Sequence, residues 1–145
     1  MVAAWRGQEG SMFARCVMAL ALALAVPATA ALAQSQAAYN AAACAALKKA
    51  DAELNAVYTA VLKKNADDKN FIDKLKVAQR AWVAFRDAEM AARYPARDKG
   101  EYGSAFDLCW CNGLAALTQQ RTEQLKPWRD GIPEGDVCTG SYPVR

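Results

Sequence analysis

Apolar residues recur at helical spacing in three separate stretches of the chain. In the first, from about Ala37 to Lys64, Leu47, Leu54, Val57, Tyr58, Val61 and Leu62 fall on one side of a helix. Ala, Leu and Lys fill the positions between them, and all three favour helix. Asn65 and the Asp67-Asp68 pair interrupt the pattern, and Asp68 is placed to cap the next helix at the positive end of its dipole.

The second stretch runs from about Lys69 to Tyr94 and stops at Pro95. Phe71, Leu75, Ala78, Trp82 and Phe85 are spaced 4, 3, 4 and 3, which predicts a buried stripe. Ile72, Gln79, Arg86 and Met90 lie along one edge of that stripe. The third stretch runs from about Ala105 to Lys126 and ends at Pro127, with Cys111, Leu114, Thr118, Arg121 and Leu125 on one face. Gly113 inside it costs about 1 kcal/mol relative to Ala, which points to close approach of a neighbouring helix. Ser104-x-x-Asp107 reads as its N-terminal cap. "PARDKGEYG" (95–103) is a loop, and Trp128–Arg145 has no period and reads as an irregular strap. No stretch alternates with period two for long enough to make a sheet. The predicted fold is all-α: a small antiparallel three-helix bundle with disulfides and an irregular C-terminal tail.

The beginning of the chain changes this picture. Arg15 is followed by an apolar run from Cys16 to Val26, then Pro27 and small residues ending in Ala31-Leu32-Ala33. That is the pattern of a secretory signal peptide, and the run is too short to cross a bilayer. The expected division is a leader over 1–33, a helical domain over 34–126, and a tail over 127–145 tied back by Cys138. The mature chain is expected to be periplasmic or secreted, with no membrane span.

Removing the leader takes two arginines and one glutamate from totals of 18 and 15, leaving 16 basic and 14 acidic residues. This near-neutral balance gives no footprint for nucleic acid. Cys44, Cys109, Cys111 and Cys138 remain, an even number in an exported small protein, which predicts two disulfides. With no histidine and no Cys-x-x-Cys pair, no zinc site is expected, and no cofactor. The usual general base near neutral pH is missing too. Asp51 and Glu53, and Asp87 and Glu89, are each two residues apart on a helix and point away from each other, so neither pair makes a glycosidase site alone. No catalytic residue is assigned, and the chain is read as a non-enzyme.

Three stretches together, "ADAELNAVYTAVLKK", "LKVAQRAWVAFRDAEM" and "LAALTQQRTEQLK", resemble the signature of the LprI-like lysozyme-inhibitor domain, a family of small exported bacterial domains. The resemblance covers about Ala43 to Lys126 and rests on Asp51-x-x-Leu54-Asn55-x-x-Tyr58, Gln79-x-x-Trp82-x-x-x-Arg86-Asp87-x-Glu89 and Leu117-Thr118-x-x-Arg121-x-x-x-Leu125. Met90 stands where members usually carry Cys. The resemblance implies a helical, disulfide-linked domain that acts as a proteinaceous lysozyme inhibitor.

The polar positions among these motifs predict a seam. Asp51, Asn55 and Tyr58 share a stripe of the first helix, and Gln79, Trp82 and Arg86 share one of the second. Facing each other, they would fix helix register, with Arg86 paired to an acid, Asp51 the first choice. Arg93, Tyr94, Tyr102, Phe106 and Trp110 flank the loop between the second and third helices. They are candidate interface residues, although packing beneath the Cys138 tail is the favoured expectation.

In an up-down-up bundle Cys44 starts near Cys109 and Cys111. Those two residues are about 200° apart around their helix, so only one faces the core. Cys111 shares the face of Leu114 and Thr118, which favours Cys44–Cys111 inside and Cys109–Cys138 outside. Cys44–Cys109 is the competing pairing. Three functions fit these features: a binder that inhibits lysozyme by occluding its cleft, an envelope accessory protein with another protein partner, and a cell-wall glycan hydrolase.

Overall fold

The computed structural model describes residues 28–135 and 137–145, with side chains from residue 34 onward. Most of the expected leader therefore lies outside the described residues. Three helices are present: α1 (Ala28–Lys64), α2 (Lys69–Arg93) and α3 (Phe106–Asp130), with a single 3-10 turn at Lys99–Tyr102 between α2 and α3. The described residues hold no strand, only an isolated parallel bridge between Ile132 and Val144. Gln36–Arg145 forms one compact unit.

Two helix ends differ from the sequence expectation. α1 begins at Ala28 rather than near Ala37, because the alanine-rich stretch before Ala37 is itself a strong helix former. α3 continues through Pro127 to Asp130. Proline removes one hydrogen bond there, but the last turn is anchored by Leu125 and Trp128 in the core cluster. The helix stops at Gly131, whose φ of 82° is open to glycine and whose N–H closes on the Pro127 carbonyl. Asp68 caps α2 by accepting from the Phe71 N–H at 2.9 Å. Ser104 does not cap α3, whose first turn has no side-chain cap. Its carbonyl instead accepts from Asn40 Nδ2 at 2.9 Å.

α1 and α3 run parallel and α2 antiparallel to both. Asn40 meets Ser104 at one end of the α1–α3 pair, and Lys64 Nζ donates to the Arg129 carbonyl at the other. Phe71 near the start of α2 meets Trp128 near the end of α3. The core is built by Leu54, Val57 and Val61 of α1, Leu75 of α2 and Leu125 of α3, with Tyr58, Leu62, Phe71, Trp82 and Trp128 packed against them. Below it the Met90 side chain, fully buried, sits where a Cβ on Gly113 would come within 2.9 Å of its terminal methyl. Gly113 thus gives α2 and α3 their close approach.

The buried line of α2 is rotated from the predicted stripe. Leu75, Gln79, Trp82, Arg86 and Met90 face inward to varying depth, while Ala78 and Phe85 are exposed. The shift is about 60° around the helix. It arises because α2 carries two apolar stripes, and a sequence pattern alone does not say which one the neighbouring helices cover.

Candidate functional site

Two polar or aromatic groupings stand out: the seam across the three helices, and the end of the bundle where α2 turns into α3.

The expected seam between α1 and α2 is replaced by links that run through α3. Asp51 accepts from Thr118 Oγ1 at 3.4 Å, and Gln79 Oε1 accepts from Arg121 Nε at 3.0 Å. Arg121 also donates through Nη1 to Gln124 Oε1 at 3.2 Å. Burial pushes the Arg121 guanidinium below its ordinary range, partly offset by nearby Tyr142 and Tyr58. Arg86 does not reach Asp51. It pairs with its neighbour Asp87 at 2.8 Å, and its guanidinium lies 5.4 Å from the centroid of the Trp82 ring. Asn55 is exposed and takes no part in the seam. α3 offers Thr118 to the polar stripe of α1 and Arg121 to that of α2. Both residues stood on the predicted inward face of the third helix, which was the available signal for them. Thr122, also buried, turns its hydroxyl back to the Thr118 carbonyl at 3.0 Å, as a threonine in a helix can.

At the other grouping, Tyr94, Tyr102, Phe106 and Trp110 form a ring cluster. Tyr94 lies 5.2, 5.4 and 5.6 Å from Tyr102, Phe106 and Trp110, edge-on to the first two, and Phe106 touches Tyr102 and Trp110 at 5.5 Å. The Tyr102 hydroxyl accepts from the Ala96 N–H at 2.7 Å, closing the loop. Lys99 Nζ stands 5.5 Å above the Phe106 ring. Arg93 binds Glu89 one turn back at 2.9 Å. The cluster makes a second, aromatic core that stiffens the loop, while Arg97, Asp98 and Glu101 stay exposed on it.

The tail does not cover these rings. It folds against the far end of α3, where Trp128 Nε1 donates to Ser141 Oγ at 2.9 Å and its ring lies 4.7 Å from Tyr142. Ile132 and Arg145 close the loop through the Pro143 carbonyl and the Ile132 carbonyl. This decides the cysteines. Cys44 and Cys111 form a disulfide with Cα atoms 5.0 Å apart, and Cys109 keeps a free, exposed thiol, so the expected Cys109–Cys138 bridge is absent. Cys138 is six residues from each partner of the Ile132–Val144 bridge, a reach of about 20 Å. Cys109 lies about 33 Å away along α3 from Gly131.

Among the described residues no group of His, Cys, Asp or Glu could hold a metal ion, and no helix is long and apolar enough to cross a membrane. The arrangement is that of a small, all-helical, disulfide-linked domain with a rigid aromatic end. The family described as lysozyme inhibitor LprI matches residues 28–125, and the chain belongs to that family. No curated protein and no solved structure matches it.

Proposed function

We propose that the protein is an exported, non-catalytic binder that inhibits a lysozyme by occluding its substrate cleft. The observation that carries this reading is membership of the lysozyme-inhibitor family across the whole helical domain. Two features support it. The leader-like sequence ending at Ala33 fits export to the compartment where lysozymes act, and division of the chain into domain and tail after the leader follows from it. A binder that blocks a cleft also needs a stiff projecting element rather than reactive groups. The loop over 95–105 is braced by Tyr94, Tyr102, Phe106 and Trp110 and carries exposed Arg97 and Glu101, with Arg93 exposed just before it, which suits it to that role.

The test is the rate of clearing of a bacterial cell-wall suspension by lysozyme with and without the purified protein. Slowing that saturates at a fixed ratio of inhibitor to enzyme is the expected result. Unchanged clearing overturns the reading and leaves an envelope accessory role, and clearing by the protein alone indicates a hydrolase. Arg97→Ala with Glu101→Ala should weaken inhibition with an unaltered helical spectrum, since both side chains are exposed and outside the ring cluster.

A further inference from the structure

α2 carries a second apolar stripe on the side turned away from α1 and α3. Val77, Ala81, Ala84, Ala88 and Ala91 are spaced 4, 3, 4 and 3, and all are exposed. Ala78, Phe85 and Ala92 lie along one edge, with Val77 and Phe85 each 55% exposed. Small residues at heptad spacing are the condition for two helices to approach closely along a seam. The other edge carries Asp73, Arg80 and Asp87, and its charges select the occupant.

We propose that this face of α2 binds a second copy of the same chain, the two α2 helices running antiparallel about a twofold axis between Ala81 and Ala84. In that register Ala81 lies opposite the partner's Ala84, and Val77 opposite the partner's Ala88. Because the same edges meet in an antiparallel pair, Arg80 of each copy lies on the same side as the partner's Asp87, two residues or about 3 Å along the axis from level with it, a gap the long arginine side chain spans. One register therefore satisfies both the apolar seam and two reciprocal charge pairs, as an isologous interface requires. Asp87 is able to serve: Arg86 uses only its Oδ1 oxygen. On the opposite edge the two Phe85 rings approach each other near the axis and cover the alanine seam. A parallel pairing would instead bring opposite edges together and set Arg80 against the apolar edge that carries the partner's Phe85, with no charge to meet it.

The experiment is sedimentation equilibrium on the protein purified as the cell leaves it, with Ala84→Glu, Arg80→Asp, and Arg80→Asp combined with Asp87→Arg. All three positions are exposed, so folding is checked by circular dichroism and should be unchanged. A dimer is expected for the parent chain. Ala84→Glu should abolish it, Arg80→Asp should weaken it roughly tenfold, and the double reversal should restore it. A monomer at every concentration overturns the proposal. So does a dimer that ignores Ala84→Glu, or one that the double reversal fails to restore.

Discussion

Arg121 donates through Nε to Gln79 Oε1 at 3.0 Å, and that bond joins α3 to α2 at a half-buried position. The guanidinium faces amide oxygens where a carboxylate would be the usual partner, and burial disfavours its charge. Removing each partner should therefore have unequal effects. Gln79→Leu removes the Nε acceptor of a partly desolvated cation, which keeps only Gln124, and should cost about 1 kcal/mol. Arg121→Met keeps the stem volume, removes the charge, and should cost less than about 0.5 kcal/mol. Urea midpoints of the two variants give the comparison, and the reverse order would show that Arg121 is stabilised by something other than Gln79.

Gly113 and Met90 are matched in shape. An alanine at 113 gains about 1 kcal/mol in helix propensity, but its Cβ would stand 2.9 Å from the Met90 methyl, which is fully buried and has little room to retreat. Gly113→Ala should be net destabilising by roughly 1 kcal/mol. Adding Met90→Leu, which shortens the side chain, should recover part of the loss. Thermal melts of the three proteins decide this, and an unaltered or raised Tm for Gly113→Ala alone would refute it.

The Cys44–Cys111 bridge spans 67 positions. On the chain-entropy account it stabilises by about 4 kcal/mol, so Cys44→Ala with Cys111→Ala should lower the unfolding free energy by about that amount. Cys109→Ser should change it by less than about 0.5 kcal/mol, as at other exposed sites. Alkylation of the native protein without reductant should label Cys109 and leave Cys44 and Cys111 untouched.

Asp130 is held below its ordinary carboxylate value, first by the hydrogen bond from Arg129 and then by the charges of Arg129, Arg145 and Lys126. Between its folded value and about 4, the unfolded chain binds more protons there, so stability rises with pH across that window. The contribution is present above about pH 4 and is lost as the pH falls through the folded value. Asp130→Asn should thus be slightly less stable than the parent at about pH 6 and converge with it at about pH 2. Because the pair is exposed, the difference should shrink in about 1 M salt. A gap that persists in acid would assign the effect to packing.

Local chemistry determined the helices. Helix-forming residues at helical spacing, with Asp68 to cap α2 and Pro95 beyond its end, placed three helices close to their observed positions. Short connections forced the up-down-up order, which brought Cys44 to Cys111. The family resemblance was legible for the same reason, since its motifs lie on those helices. Tertiary structure decided what periodicity leaves open. α2 has two apolar stripes, and only the position of α3 selects the one through Leu75, Trp82 and Met90, leaving Phe85 outside. The seam partners followed from the same packing: α3 brings Thr118 to Asp51 and Arg121 to Gln79, while Arg86 pairs with Asp87 on its own helix. The tail has no period to read, and its path was set by Trp128, which recruits Ser141 and Tyr142 at the end of α3. That path holds Cys138 beyond the reach of Cys109. A spacing rule reports what lies on one helix face, but which face is covered is a property of the neighbours.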